Sequence, residues 1–136
     1  MNDIKRLPYL VGLIGWPVGH SKSPAMHQAA AAALDLDLNY VPLPVRPADL
    51  TVAVKGLPAL GFRGVNVTVP HKEKVISLLD EVDPAAQTIG AVNSIVIETG
   101  SSGSKLLGYN TDWSGFLADL SELGLEIVGR SCLVLG

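Results

Sequence analysis

The chain has 136 residues, of which 48% are hydrophobic and 17% charged; this composition is typical of one folded domain and excludes a disordered or collagen-like chain. Ten basic against thirteen acidic residues give a net charge of −3, and no Lys/Arg block is present to neutralise a run of phosphates, so nucleic acid is not an expected partner. No apolar stretch approaches the roughly 18 residues that cross a bilayer, so membrane insertion is not expected either.

The first half of the chain alternates predicted strands and helices. An apolar run over residues 9–14 predicts a buried strand. Ser23, followed by Pro24 and an alanine-rich segment, predicts a helix that Ser23 caps. The next elements are a strand, a helix and a strand of β-branched residues, predicted over residues 38–45, 47–60 and 65–69.

The second half is predicted to contain a hairpin, which makes part of the sheet antiparallel. A strand over residues 91–97 is followed by a polar turn and a second arm over 105–109. Helical spacing predicts three helices: one over residues 75–82, a shorter one that ends near Gly90, and one over residues 113–123. A last strand is predicted over residues 131–136. We therefore predict an α/β fold with three α/β/α layers around a mostly parallel, mixed sheet.

The predicted last strand has two interpretations. An apolar strand that closes on a glycine, here Gly136, is how a dinucleotide-binding unit begins, but it is also an ordinary way to end a domain. The single cysteine, Cys132, has no partner for a disulfide within the chain, and its apolar neighbours predict a buried thiol. This cysteine usage is typical of a cytoplasmic protein.

Two serines lie in the loop before the first predicted helix. Ser21 and Ser23 flank Lys22 at that helix N-terminus, where unpaired backbone N–H groups and the helix dipole favour a carboxylate or a phosphate. The alternative is that Ser23 only caps the helix and Ser21 is solvated. Residue types alone leave both interpretations open.

A second polar cluster follows the third predicted strand. Period-two alternation places Asn66 and Thr68 on one strand face and the valines on the other, so both polar side chains need partners in the protein or in a ligand. Lys72 falls in the first turn of the next predicted helix, where the dipole disfavours a cation, which favours a functional role over that of a surface lysine. His71 is predicted to be a solvated loop residue.

A third cluster pairs an amide with a carboxylate. Asn93 on one hairpin arm is placed to face Asp112 at the end of the other. Alone, Asp112 is better explained as a helix N-cap. Together with Lys72, it forms a carboxylate and ammonium pair able to hold a substrate hydroxyl and move its proton. No metal is expected, because the three histidines and the single cysteine lack ligand spacing.

Four motifs in this order resemble the shikimate dehydrogenase family. They are Gly-Trp-Pro-Val-Gly-His-Ser-Lys-Ser-Pro, Asn-Val-Thr-Val-Pro-His-Lys, Gly-Ala-Val-Asn-Ser and Gly-Tyr-Asn-Thr-Asp, between residues 15 and 112. The resemblance implies reversible NADP-linked reduction of 3-dehydroshikimate to shikimate, in the shikimate pathway of aromatic amino acid biosynthesis. It also implies a small-molecule substrate.

The resemblance assigns roles to the polar residues of all three clusters. It implies that Ser21 and Ser23 hold the substrate carboxylate and that Lys72 and Asp112 are the catalytic pair. The groups that bind the ring hydroxyls and the carboxylate end are then Asn66, Thr68, Asn93 and Asp112. With Lys72 as proton acceptor or donor, Asp112 orients both the lysine and the reacting hydroxyl.

The resemblance also implies a domain division. Residues 1–112 are expected to form the substrate domain, and residues 113–136 a linker helix and the first strand of a nucleotide-binding domain. No NADP-binding residue is expected in this chain, which should be inactive alone and should expose apolar surface, with a homodimer as one consequence. The alternatives are a quinate/shikimate dehydrogenase and a non-catalytic ligand-binding module; the presence of both Lys72 and Asp112 argues against the second.

Overall fold

A computed structural model describes residues 7–125, 127–133 and 135. Among these residues, six strands are β1 (Tyr9–Gly15), β2 (Leu38–Pro44), β3 (Phe62–Val67), β4 (Glu81–Val82), β5 (Ser94–Gly100) and β6 (Gly103–Tyr109). The α-helices are α1 (Ser23–Ala33), α2 (Leu50–Gly56), α3 (Pro84–Ile89) and α4 (Asp112–Glu122), and Pro47–Asp49 and Lys74–Leu78 are 3₁₀ helices. No helix of the described part is long and apolar enough to cross a membrane.

The six strands form one mixed sheet in the order β2-β1-β3-β5-β6-β4. β1 pairs in parallel with β2 and with β3, and β4 pairs in parallel with β6. β5 is antiparallel to both β3 and β6. The predicted mixed sheet with its hairpin is confirmed. Because β1 and β3 are parallel neighbours, their carboxyl ends lie side by side, which brings the loops that follow them together.

Alternation along the strands builds a core on each face of the sheet. Ile14 belongs to the larger core, which α2 covers through Leu50 and Val54. Leu13 points to the opposite face, where it packs in a smaller core with Tyr40, and α1 lies against β1 and β2 on this side. Helices therefore cover both faces, as the three-layer prediction requires.

Several predicted element boundaries were wrong. The helix expected over residues 75–82 is the 3₁₀ helix Lys74–Leu78 followed by β4, because the Asp80 N–H and carboxylate bond Leu106 of β6 and draw the chain into the sheet. The helix expected over 47–60 is limited to the 3₁₀ helix Pro47–Asp49 and α2. β3 begins earlier than residue 65, since Phe62 already pairs with Leu10.

The carboxyl-terminal predictions also differ from the structure. Residues 131–133 and 135 are in no strand, and residues 134 and 136 lie outside the described residues. Cys132 is exposed and not buried, because no sheet neighbour covers this segment within the described part. Strand 91–97 was placed too early: β5 begins at Ser94, since the Val92 N–H is already used by the Lys72 carbonyl.

Candidate active site

The polar clusters meet where β1 and β3 end. The Thr68 N–H donates to the Ile14 carbonyl at 2.9 Å, and the Trp16 N–H donates to the Val69 carbonyl at 3.1 Å. Gly15 lies between these bonds with no room for a side chain, because an added Cβ would come within 2.4 Å of Thr68 Cγ2. The loop after β1 and the turn after β3 are therefore held against each other.

The serine loop has paired hydroxyls. Ser21 Oγ donates to Ser23 Oγ at 3.2 Å and accepts the Ser23 N–H at 3.2 Å. The N-cap of α1 is Lys22, without a side-chain cap bond, and Ser23 is already the first helical residue. The predicted capping role of Ser23 is therefore wrong, because its hydroxyl is paired with Ser21 and is not directed at the helix N–H groups.

Both serines line an open cavity of about 440 Å³. Thr68 closes its β3 side. His20 and Lys22 also line it, and the remaining wall is apolar, formed by Leu13, Pro17, Val18 and Val69. Hydroxyls, a nearby ammonium and the start of α1 are what a carboxylate binds.

The turn that carries Lys72 is anchored on both sides. His71 is completely buried, and its Nε2 donates to the Val45 carbonyl at 2.7 Å. The Val92 N–H donates to the Lys72 carbonyl at 2.8 Å. The prediction of a solvated His71 was wrong because the turn folds back under the end of β2. Lys72 precedes the 3₁₀ helix at Lys74, so it is not in the first turn of a helix as predicted.

Lys72 and Asp112 form an ion pair across the site. Lys72 Nζ donates to Asp112 Oδ2 at 2.6 Å, and the side chains are 32% and 58% exposed. Asp112 Oδ1 accepts from Asn93 Nδ2 at 2.9 Å, as the facing positions of these residues predict. Asp112 is the first residue of α4 and Thr111 is its N-cap. The alternative of Asp112 as an N-cap is thereby corrected, since its carboxylate is directed to Lys72 and Asn93.

The environment of Asp112 favours its charged form. The hydrogen bond from Lys72 lowers the pKa of the Asp112 carboxyl most, the bond from Asn93 and the charge of Lys72 lower it further, and partial burial opposes them. The Asp112 carboxyl is therefore ionised near neutral pH.

The lowered pKa of Asp112 predicts that the Lys72–Asp112 ion pair loses its contribution to folding stability in acid. Because the folded pKa lies below the unfolded value near 3.9, the stabilisation is fully present above about pH 4 and is lost as pH falls through the folded pKa. For an ion pair this exposed it should not exceed about 1 kcal/mol. A carbon-13 NMR titration of Asp112 should show a midpoint that rises in Lys72→Ala; equal midpoints in both proteins would contradict the contribution of Lys72.

Asn66 lies on the sheet face opposite the valines, as predicted. Its Oδ1 accepts from the Tyr40 hydroxyl at 2.8 Å, and its Nδ2 donates to Ser94 Oγ at 3.1 Å. The Tyr40 ring stacks on His27 with ring centres 4.2 Å apart and planes 5° apart. Burial raises the pKa of Tyr40, and the nearby Ser23 hydroxyl offsets part of this increase. Protein groups therefore hold both ends of the Asn66 amide.

The predicted residues form two neighbouring groups. Ser21, Ser23 and Thr68 surround the cavity, whereas Asn66, Asn93, Asp112 and Lys72 belong to a hydrogen-bonded network. Sequence reasoning missed Tyr40, Ser94 and Thr111, which complete this network. It also missed the burial of His71, which anchors the turn of Lys72 through the Val45 carbonyl. A signal was present for Ser94 and Thr111, because each lies beside a predicted site residue within a quoted motif. No group of three or more potential metal ligands occurs among the described residues.

Comparison with known proteins places this geometry in a family. Residues 13–95, more than half of the chain, match the family model described as the shikimate dehydrogenase substrate binding domain. The chain belongs to the shikimate dehydrogenase family. The NADP(+) shikimate dehydrogenase of Rubrobacter xylanophilus is 57% identical over 127 residues, which are 93% of this chain but 44% of that protein. The resemblance seen in the four motifs is confirmed.

Solved structures of shikimate dehydrogenases share the fold. The Listeria monocytogenes enzyme in complex with shikimate and NAD is 38% identical with a TM-score of 0.83, covering 96% of this chain and 44% of that one. The Thermus thermophilus enzyme in complex with NADP(H) and shikimate is 39% identical with a TM-score of 0.77, covering 88% and 44%. The chain thus spans less than half the length of these shikimate dehydrogenases.

Proposed function

We propose that this chain is the substrate-binding part of an NADP-dependent shikimate dehydrogenase, which reversibly reduces 3-dehydroshikimate to shikimate in aromatic amino acid biosynthesis. The observation that carries the proposal is the Lys72–Asp112 pair, 2.6 Å apart. Val69 lines both the cavity beside Lys72 and the neighbouring cavity of Ser21, Ser23 and Thr68. The family match and the shikimate complexes of structural neighbours support the ligand.

The serine loop is proposed to bind the substrate carboxylate. The hydroxyls of Ser21 and Ser23 are 3.2 Å apart and bond each other, and a carboxylate has two oxygens that accept from both. The start of α1 and the nearby Lys22 stabilise its charge. Thr68, on the opposite wall of the same cavity, then lies on the ring side of the substrate.

The ring hydroxyls are proposed to bind Asn66, Asn93, Thr68 and Asp112. Asn66 has one weakly used donor, because its second Nδ2 contact, to the Asn93 carbonyl, is 3.5 Å long. A substrate hydroxyl that accepts from this N–H would bind without breaking the shorter bonds to Tyr40 and Ser94. Asn66 therefore both builds the site and retains a group for the ligand.

Lys72 is proposed to move the proton of the reacting hydroxyl. Oxidation of an alcohol carbon requires its hydroxyl proton to leave, and reduction of the ketone requires the proton to return. In the reduction, protonated Lys72 Nζ donates its proton to the ketone oxygen and is left as a neutral amine; in the oxidation, the neutral amine takes the hydroxyl proton. Asp112 positions Lys72 Nζ and accepts from the reacting hydroxyl. The hydride would be supplied or taken by a nicotinamide dinucleotide, which no residue of this chain is proposed to hold.

The dinucleotide is not assigned to residues of this chain. No strand-to-helix turn of the described part has the G-x-G-x-x-G spacing; the loop from β1 to α1 carries only Gly15 and Gly19. The residues here therefore do not fit a dinucleotide site. We propose that residues 1–112 form the substrate domain and that residues 113–136 begin the nucleotide-binding one. In support, none of the described residues of α4 is buried, as expected for a helix that packs on another domain.

The nearest alternative is a related quinate/shikimate dehydrogenase that uses NAD. The Listeria monocytogenes complex contains NAD.

We also propose that the enzyme is cytoplasmic, because its cysteine is unpaired. A homodimer is proposed as one way to cover exposed apolar residues such as Val96, which is 42% exposed.

A ligand titration tests the proposed substrate site. In nitrogen-labelled NMR spectra of the chain, shikimate should shift the peaks of the serine loop and of Thr68. Replacing both Ser21 and Ser23 with alanine should weaken binding by about 10- to 100-fold, because two hydrogen bonds to a charged group are lost.

The matched control replaces Ser101 and Ser102 with alanine, since both are exposed in the β5–β6 turn. It should leave shikimate affinity unchanged. Tighter binding of quinate than of shikimate would favour the quinate/shikimate alternative. If shikimate moved no peak of the site, or bound the double serine variant equally well, the assignment of the carboxylate site would be wrong.

A further inference from the structure

Four successive hydrogen bonds link the Tyr40 hydroxyl to the Asp112 carboxylate, and in each bond the donor lies on the Tyr40 side. The Tyr40 hydroxyl donates to Asn66 Oδ1 at 2.8 Å, and Asn66 Nδ2 donates to Ser94 Oγ at 3.1 Å. Ser94 Oγ donates to Asn93 Oδ1 at 3.0 Å, and Asn93 Nδ2 donates to Asp112 Oδ1 at 2.9 Å. The series ends on a carboxylate, which is an acceptor only.

Fixed groups at one end determine this direction. The Thr111 backbone N–H donates to Asn93 Oδ1 at 3.0 Å, so this oxygen is the acceptor of the amide. The Asn93 NH₂ group then donates to Asp112 Oδ1 and to Thr111 Oγ1, each at 2.9 Å. The Ser94 hydroxyl then meets an acceptor at Asn93 and has to donate to it. Its lone pairs are left to accept from Asn66.

We propose that Ser94 is a positioning residue, which together with the Thr111 N–H holds Asn93 Oδ1 and so keeps the amide in the orientation that directs its NH₂ group at the Asp112 carboxylate. This inference rests on the proposed function, since it matters for catalysis only if Lys72 and Asp112 are the catalytic pair. Asn93 occupies Oδ1 of Asp112, so Oδ2 is the oxygen presented to Lys72. Ser94 acts through Asn93 and is assigned no contact with substrate.

The surroundings of Ser94 support a role beyond filling a strand position. Ser94 and Val96 lie on the same face of β5, two residues apart, and Val96 is 42% exposed. This face is therefore open enough for a serine hydroxyl to bind water. The hydroxyl instead bonds two side chains of the site, on β3 and before β5, which couples Asn66 to Asn93.

The test compares Ser94→Ala with Ser94→Thr in the 136-residue chain. Carbon-13 NMR follows the titration of Asp112, nitrogen-15 NMR follows the side-chain amide of Asn93, and a shikimate titration measures affinity. Ser94→Ala should raise the Asp112 midpoint by about a few tenths of a pH unit, shift the Asn93 NH₂ resonances and weaken shikimate binding about 2- to 10-fold. Ser94→Thr should restore all three, because it keeps the hydroxyl.

Ser104→Ala is the matched control, since Ser104 is an exposed serine on the neighbouring strand. It should change none of the three measurements. Where Ser94→Ala fails to give a dispersed spectrum, Ser94→Thr and Ser94→Val make the same comparison, because they differ only in a hydroxyl against a methyl group.

The outcomes separate the two proposals. An Asp112 titration and an Asn93 amide that are unchanged without the Ser94 hydroxyl would overturn the positioning role. The Asp112 titration and the Asn93 amide resonances could change although neither the variants nor the unmodified chain binds shikimate. That result would support the positioning role of Ser94 and contradict the proposed substrate.

Discussion

Replacing Lys72 with alanine in a full-length enzyme carrying this sequence should lower turnover by about 10²- to 10⁴-fold, the usual range for loss of a positioned acid–base group. Shikimate affinity should change less than about tenfold, because Asp112 keeps its bond from Asn93 and the residues of the cavity lined by Ser21 and Ser23, here called the serine cavity, are unchanged. Steady-state rates and a binding titration with the same protein separate the two effects.

The control for this prediction is Lys74→Ala. Lys74 lies two residues away and is exposed, so its replacement should leave turnover within about twofold. Equal losses of turnover and affinity in Lys72→Ala would show instead that Lys72 mainly holds the ligand. Near-normal turnover would show that Lys72 does not transfer the proton.

Replacing Gly15 with alanine should damage both stability and binding. The added Cβ would lie 2.4 Å from Thr68 Cγ2, 2.7 Å from Val18 Cγ1 and 3.1 Å from the Val69 carbonyl oxygen. Such overpacking typically costs about 1–3 kcal/mol of unfolding free energy. Because Val18, Thr68 and Val69 all line the serine cavity, the shift should also weaken shikimate binding.

Gly19→Ala is the matched control in the same loop. A Cβ at Gly19 meets nothing within 4 Å, so stability and shikimate affinity should stay close to those of the unmodified chain. Urea unfolding and the NMR titration measure both quantities. If Gly15→Ala and Gly19→Ala were equally stable and bound equally well, the close contact at Gly15 would not shape the cavity.

The site residues were predictable where chemistry is local. Asn93 and Asp112 were expected to face each other because a hairpin places its two ends side by side, and the structure joins them at 2.9 Å. Asn66 was expected to face away from the valines because side chains alternate along a strand. The contact of Lys72 with Asp112 was not derivable from spacing, since it joins segments forty residues apart.

Other predictions were wrong where distant contacts decide the structure. His71 carries a polar ring next to a proline and a lysine, which indicates a loop at the surface, yet it is completely buried because its Nε2 finds the Val45 carbonyl. The apolar spacing over residues 75–82 favours a helix, but bonds from Asp80 to Leu106 draw this segment to the sheet edge. Neither partner is near in sequence.

By itself, the sequence determined the α/β class, the hairpin and the family, and it predicted the polar residues proposed for the site, because periodicity, turn residues and motifs are properties of neighbouring positions. Only the tertiary structure decided the strand order, the burial of His71 and the direction of hydrogen bonding from Tyr40 through Ser94 to Asp112. These depend on donors and acceptors from separate strands meeting at about 3 Å, and a linear pattern does not specify which groups meet.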